Sequence, residues 1–425
     1  MGVANMKTHR ALVGWRLNGL HCLLPGVRLH LRISPWLAVA CSFLVAGAKT
    51  TASAQEPQPK QVEIFFATDR KAPQAGAKIA FGHAASDTLT FGKARVALKS
   101  GAQPIFFDRF TLHRRYALPI HGVGAFDVVS LSILDRATML ALAADSGARA
   151  KRYDRRALVF IHGFNTSFDD AVRRTAQISH GLEFDGPVFL FSWPSMGQSW
   201  SYETDRQTAS TSRKMFLRFL AEDLAPLRPV KLQLLAHSMG NSVLVGALEQ
   251  LLAAGSLGEL GLDEIVMVAP DVEADAFLRV TRGLGKPVIS TVYVANNDKA
   301  LKLSECANRG ARLGGFEGEK PVVAPFADVI DVSEGSYYLD KWQHNRVFEH
   351  PLIFDDLRKL LRDRMRPPNA RSPSVSYVAL DEKRDVFNGF WRFQHPDADM
   401  RRDSDQELGW LNWLKWTGRC EAAKK

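Results

Sequence analysis

The chain has 425 residues, 46% hydrophobic and 24% charged, which excludes collagen, coiled coil and wholesale disorder and leaves room for one large domain with appendages. Its net charge of +10 is unevenly spread: residues 1–55 hold six basic and no acidic side chains, and the rest carries 49 basic against 45 acidic. That remainder contains no basic block, so a nucleic-acid partner is poorly supported.

The leader comes first in the chain. An apolar run from Trp36 to Ala48 follows a basic stretch, and Ala52-Ser53-Ala54 before Gln55 is a small-residue cleavage site. Residues 1–54 therefore read as an export signal, or as an N-terminal membrane anchor if uncleaved. The expected location is the periplasm or cell envelope. Apolar residues continue past Cys41, which argues against lipidation there. Cys306 and Cys420 remain in the mature part, where a disulfide tying the tail to the main domain and two buried thiols both fit.

Residues 55–150 predict a β-rich N-terminal extension. VEIFFATDR, TLTFGKARVAL, PIFFDRFTL and AFDVVSLSIL read as strands between turn residues, and 135–148 as a helix. They form either a small module or extra strands on the edge of the main sheet. Residues 151–365 then alternate regularly. The strands ALVFIHGF, PVFLFSW, VKLQLLAH, EIVMVAP and VISTVYVAN are separated by helices. The first helix, SFDDAVRRTAQISHGL, places Ser167 and Asp170 like a capping box. SRKMFLRFLAEDL, NSVLVGALEQLLAAG, a short helix and PLIFDDLRKLLRD follow. Five near-continuous apolar strands predict an α/β fold, a mostly parallel sheet covered by helices on both faces. The longest loop, Asp298 to His344, is expected to cover part of the site. Residues 366–425 form a tail: a linker-like RPPNARSPS, a hairpin in YVALDEKRDVFNGFWRFQ, and an end rich in tryptophan (Trp410, Trp413, Trp416) that docks on its own domain or touches a membrane surface.

In a parallel sheet the chemistry sits in loops at the carboxyl ends of the strands. The sharpest motif there is Ala236-His237-Ser238-Met239-Gly240, between a strand and a helix, the context of a nucleophile elbow. Ala236 stands where G-x-S-x-G has its first glycine. The N–H of Met239 and the N–H of Phe164, in His162-Gly163-Phe164-Asn165, are the expected oxyanion donors. His162 reads as structural. The acid should follow a later strand and the base histidine should come after it. Asp298 is favoured over Asp271, because this kind of sheet usually places its acid after the last strands of the series. His344 and His350 are the candidate bases, and His395 lies in the tail. Trp193-Pro194-Ser195 and Trp200-Ser201-Tyr202 line an acyl pocket or belong to the core. The sequence offers no metal-ligand spacing, no P-loop and no strand–GxGxxG–helix unit, so no cofactor is expected.

FIHGFN, FSWPS, LLAHSMGN, VAPDV, the stretch Asp298–Ser304 and ATDR near residue 70 resemble the α/β-hydrolase superfamily. Within it they resemble a bacterial esterase or lipase-like branch long catalogued as a domain of unknown function. The resemblance implies Asp298 as acid. It implies His344 as base, because an Asp-Leu pair (Asp356-Leu357) follows His344 after twelve residues and does not so follow His350. The usual Gly-His pair is Gln343-His344 here. The expectation is a serine hydrolase with the triad Ser238, Asp298 and His344, acting on a small-molecule or lipid-like ester. Thioester, amide or acyl-transfer chemistry would use the same parts. The rival reading is a non-catalytic envelope binding protein on a hydrolase fold.

Overall fold

The computed structural model describes residues 61–394, apart from 75, 77–78, 106–119, 228–230, 285–287, 289, 309, 336–341 and 381–388. The leader and its cleavage site, most of PIFFDRFTL, His395, Cys420 and the Trp-rich end lie outside these residues. Cys306 is disulfide-bonded.

Among the described residues, eleven strands form one sheet. In chain order they are β1 (Gln61–Arg70), β2 (Ala85–Leu98), β3 (Phe126–Leu134), β4 (Arg156–Ile161), β5 (Val188–Ser192), β6 (Lys231–His237), β7 (Leu262–Val268), β8 (Ser290–Val294), β11 (Ala327–Asp331), β12 (Val375–Ala379) and β13 (Gly389–Phe393). Between β8 and β11 the chain forms a separate two-stranded ladder, β9 (Phe316–Glu317) with β10 (Lys320–Pro321). The order across the large sheet is β12-β13-β11-β8-β7-β6-β4-β5-β1-β2-β3. Every pairing from β13 to β1 is parallel, and β12, β2 and β3 pair antiparallel at the two margins. The N-terminal strands are thus part of the main sheet, with β1 lying directly beside β5.

The core strands are buried on both faces, which is why they read as continuous apolar runs. Along β4, Ala157, Val159 and Ile161 enter one layer while Leu158 and Phe160 enter the other. The second layer is closed by the helices α2 (Phe168–Leu182) and α8 (Pro351–Asp363). The first is closed by α1 (Arg136–Arg149), α3 (Tyr202–Arg218), α4 (Gly240–Ala253) and α5 (Ala274–Leu284). Ser167 caps α2: its hydroxyl accepts the Asp170 N–H and donates to the Asp170 carboxylate at 2.6 Å.

Four expectations change. The helix expected from residue 212 begins at Tyr202, because the buried side of its first turns is Asp205, Ala209 and Ser212, and polar core residues hide the apolar period. The stretch from Asp298 to His344 is not a plain loop. It holds the helix α6 (Lys299–Asn308), the β9–β10 ladder and β11, a further parallel strand beyond the five expected. β11 was concealed by Asp328 and Asp331, which the buried sheet accepts because Arg366 and Arg392 pair with them. Finally, RPPNARSPS is no linker. It forms a helical turn, α9 (Pro368–Arg371), pinned by Arg371, whose fully buried guanidinium is 2.8 Å from Asp356. Among the described residues between α6 and α8, the short helix α7 (Arg346–Glu349) intervenes.

Candidate active site

The direction of the sheet reverses between β4 and β6. From β4 the chain adds β5 on one side; from β6 it adds β7 and β8 on the other. Such a switch point leaves a crevice at the carboxyl ends of the two strands. Ser238 follows β6 and Gly163 follows β4, with Ile161 and Ala236 in register between them.

Ser238 has φ +52°, a left-handed conformation that costs a non-glycine residue on the order of 1–3 kcal/mol. The surroundings fix it there. Its N–H donates to Val268 O at 2.9 Å, and its carbonyl accepts from Asn241 N and Asn241 Nδ2. Two glycines make the approach possible. A Cβ on Gly163 would lie 2.7 Å from Ser238 Cβ, and one on Gly240 would lie 2.4 Å from His162 O. Helix α4 begins at Gly240, so the Met239 N–H stands at its amino end, where helical N–H groups lack intrahelical partners.

The loop after β4 rests on buried polar groups. Asn165 is left-handed at φ +54°. The Asp205 carboxylate, with no solvent exposure, accepts the Asn165 N–H at 3.2 Å, the Met196 N–H at 2.7 Å and the Ser195 hydroxyl at 2.6 Å. Burial raises its pKa. Arg70, also buried, donates to Thr166 O, Ser195 O, Gly82 O and Ser192 Oγ, tying β1 to the same loops. Burial lowers the Arg70 pKa to about 10. His162 lies beneath. Its ring stacks on Trp193, and its nitrogens sit 2.9 Å from Gly163 O and 3.0 Å from Trp193 O. Burial, with the nearby Arg70 charge, pushes its pKa down to about 3, so it is neutral and structural.

On the other rim, His344 Nδ1 lies 2.7 Å from Asp298 Oδ2. Asp298 is buried, and its second oxygen accepts the Leu301 N–H at 3.0 Å, capping α6. Gln343, before His344, is left-handed at φ +60°. This explains the glycine usual at that position. His237 Nε2 lies 3.2 Å from His344 O and its ring packs on His344; burial first, and then the neighbouring His344, drive its pKa well below normal.

Ser238 and His344 border one cavity of about 580 Å³, together with Phe160, Phe164, Leu301, Leu303 and Trp342. The alternates fall elsewhere. His350 is fully buried at the start of α8, packed edge-on against Phe393, and does not line the cavity. Asp271 does line it, but its carboxylate is occupied by Tyr202 OH at 2.9 Å, Ser304 Oγ at 2.5 Å and Arg312 Nε at 3.4 Å. The aromatic segment divides. Trp193 is core, Trp200 is 80% exposed, and Tyr202 borders the cavity against Phe164.

The family model described as "Alpha/beta hydrolase of unknown function (DUF900)" matches residues 144–364, just over half of the chain. The chain belongs to this family. Two solved structures of phospholipase PlaB from Legionella pneumophila, one in complex with thio-NAD, are similar to it at 11% and 12% identity. Each has a TM-score of 0.30; they cover 56% of this chain and 67% and 69% of their own. No curated protein matches. Within this α/β hydrolase, Asp205, Arg174 and Trp342 are site neighbours that sequence reasoning missed, and His237 was quoted in its motif without a role. Arg70 too left a trace, as the last residue of ATDR.

Proposed function

We propose that this α/β hydrolase cleaves carboxylic esters through an acyl-enzyme on Ser238. The reading is carried by one convergence: a serine held at left-handed φ and a histidine 2.7 Å from a buried carboxylate border the same mainly apolar cavity. Ser238 Oγ attacks the ester carbonyl carbon while His344 Nε2 takes its proton. Asp298 accepts the Nδ1–H and stabilises the imidazolium. The N–H groups of Met239 and Phe164 hold the tetrahedral oxyanion. Collapse breaks the bond to the alcohol, which leaves with the proton from His344. Water then repeats the sequence on the acyl-enzyme and frees the acid. The apolar walls suit a small or lipid-like acyl chain.

Labelling with a fluorophosphonate probe tests this. Label should be lost with Ser238→Ala, collapse with His344→Ala and survive His350→Ala. A folded wild type that never labels overturns the acyl-enzyme reading in favour of a binding protein. The export reading of residues 1–54 belongs to the same proposal. N-terminal sequencing of the protein from an envelope fraction should begin near Gln55, or at the native start if the leader anchors it.

A further inference from the structure

A second cavity, of about 260 Å³, opens between α3, α4 and α5 and shares Tyr202 and Asp271 with the first. Its character is opposite. Where the first is lined by Phe and Leu, this one receives four guanidinium groups, those of Arg206, Arg213, Arg279 and Arg312. We propose that it binds a compact oxyanion, a carboxylate or phosphate group, held chiefly by Arg213 and Arg312.

The arginines are not equivalent. Arg206 is held by both oxygens of Glu203, and Arg279 by Glu249. Among the described residues Arg312, 6% exposed, forms one salt bridge, with Asp271 at 3.4 Å, a carboxylate that already accepts from Tyr202 and Ser304; partly buried Glu305 also attracts it. Arg213 forms no salt bridge among the described residues. Its Nη2 donates to Ser242 Oγ at 2.7 Å, and the carboxylates acting on it are Glu249, taken by Arg279, and Glu273, exposed to solvent. Arg213 Nε and Arg312 Nε are both buried without a hydrogen-bond partner. Buried donors are normally satisfied, and leaving one unpaired is destabilising. Arg213 Nε has no acceptor among the described residues and Arg312 Nε has only the 3.4 Å approach to Asp271, so both guanidinium groups at this cavity are short of acceptors.

The seat of Arg213 is built into the helix. Gly246 lies in the middle of α4, where glycine is a poorer helix former than alanine. A Cβ there would lie 2.4 Å from Arg213 Cδ and 2.7 Å from Arg213 Nε. The glycine is thus the notch in which the arginine stem lies, fixing its planar head at the cavity. A guanidinium fork matches a carboxylate or phosphate edge by two parallel hydrogen bonds.

Isothermal titration of the whole protein with inorganic phosphate and with acetate, at constant ionic strength in chloride, tests the proposal. At least one anion should bind at one site; the tighter of the two identifies the class. Ser238→Ala should bind as wild type does, so the test stands apart from the fate of the acyl-enzyme reading. Arg213→Gln should abolish the heat. Should that variant fail to fold, Arg213→Lys keeps the stem and charge but loses the fork, and should weaken binding about tenfold. The absence of heat from either anion, or binding undiminished in folded Arg213 variants, would overturn the site.

Discussion

The loops after β4 and β6 and the stretch from Asp298 to His344 meet at one cavity but are held in place differently. The first region is fixed by backbone: Ser238 and Asn165 are left-handed, Gly163 and Gly240 allow contacts no Cβ permits, and buried Asp205 and Arg70 tie the turns down. The second is fixed by side chains, with Asp298 reaching both His344 and the start of α6. Small changes of shape should therefore injure the first region, and small changes of charge the second.

The largest expected effect is a change of charge. Asp298→Asn keeps the shape but removes the carboxylate that orients His344, and should lower kcat by about 10⁴. Asp271→Asn, in a network with Tyr202, Ser304 and Arg312, should cost far less. Equal losses from the two variants in ester-hydrolysis kinetics would erase the distinction between these acids.

Gly163→Ala adds one methyl group where Ser238 Cβ would lie 2.7 Å away and His237 O 3.0 Å away. Neither atom can yield cheaply, so the loop bearing the Phe164 N–H must shift. Loss of one oxyanion donor lowers kcat by about 10²–10³, and the forced shift should also lower the melting temperature. Full activity in this variant would show that the first region is less rigid than its backbone implies. Asp205→Asn probes the same loop from beneath. The carboxylate accepts from three donors, and an amide in its place must point an NH₂ group at one of them. A fall in kcat of about tenfold to a hundredfold, with KM nearly unchanged, is expected of a positioning residue. A change confined to stability would make it merely structural.

The pH dependence of stability sharpens the comparison further. His162 is neutral in the fold, with its pKa at about 3 against about 6.5 when unfolded. Below pH 6.5 the unfolded chain binds a proton that the folded chain refuses. Stability present above pH 6.5 is therefore lost as pH falls toward 3, at about 1.4 kcal/mol per pH unit. Asp69 acts oppositely. Burial raises its pKa to about 6, so in the fold it takes up its proton first as pH falls. The readout is thus the difference between two urea-unfolding series: His162→Gln should be less stable at neutral pH yet show a shallower acid slope. Identical slopes would mean that His162 titrates in the fold.

These contrasts also explain what the sequence disclosed. The elbow was legible because its geometry demands small residues at fixed offsets, and Ala236, Gly163 and Gly240 supply them. The helix start at Tyr202 was not, because its buried side is Asp205, Ala209 and Ser212. β11 was not, because ADVID pairs its acids with Arg366 and Arg392, more than thirty positions away. Arg371 read as part of a linker for the same reason: its partner, Asp356, belongs to another element. The Asp356-Leu357 spacing pointed to His344, which borders the cavity with Ser238, although Asp356 does not contact the cavity and instead joins Arg371 to Tyr293.

The smallest effect isolates a place beside His344 where the second region also relies on backbone. Gln343 sits at φ +60° beside His344, and its Oε1 accepts from Arg346 Nη2 at 3.0 Å. Gln343→Gly and Gln343→Ala both lose that hydrogen bond, so their difference reports the backbone alone. At ordinary positions alanine is the more stable, because glycine gives the unfolded chain more freedom. At a left-handed position the order reverses, since only glycine is unstrained there, and the Gln343→Gly variant should be the more stable by about 1 kcal/mol in urea unfolding. With the alanine variant more stable instead, Gln343 would not be strained, and backbone strain would play no part in placing the histidine.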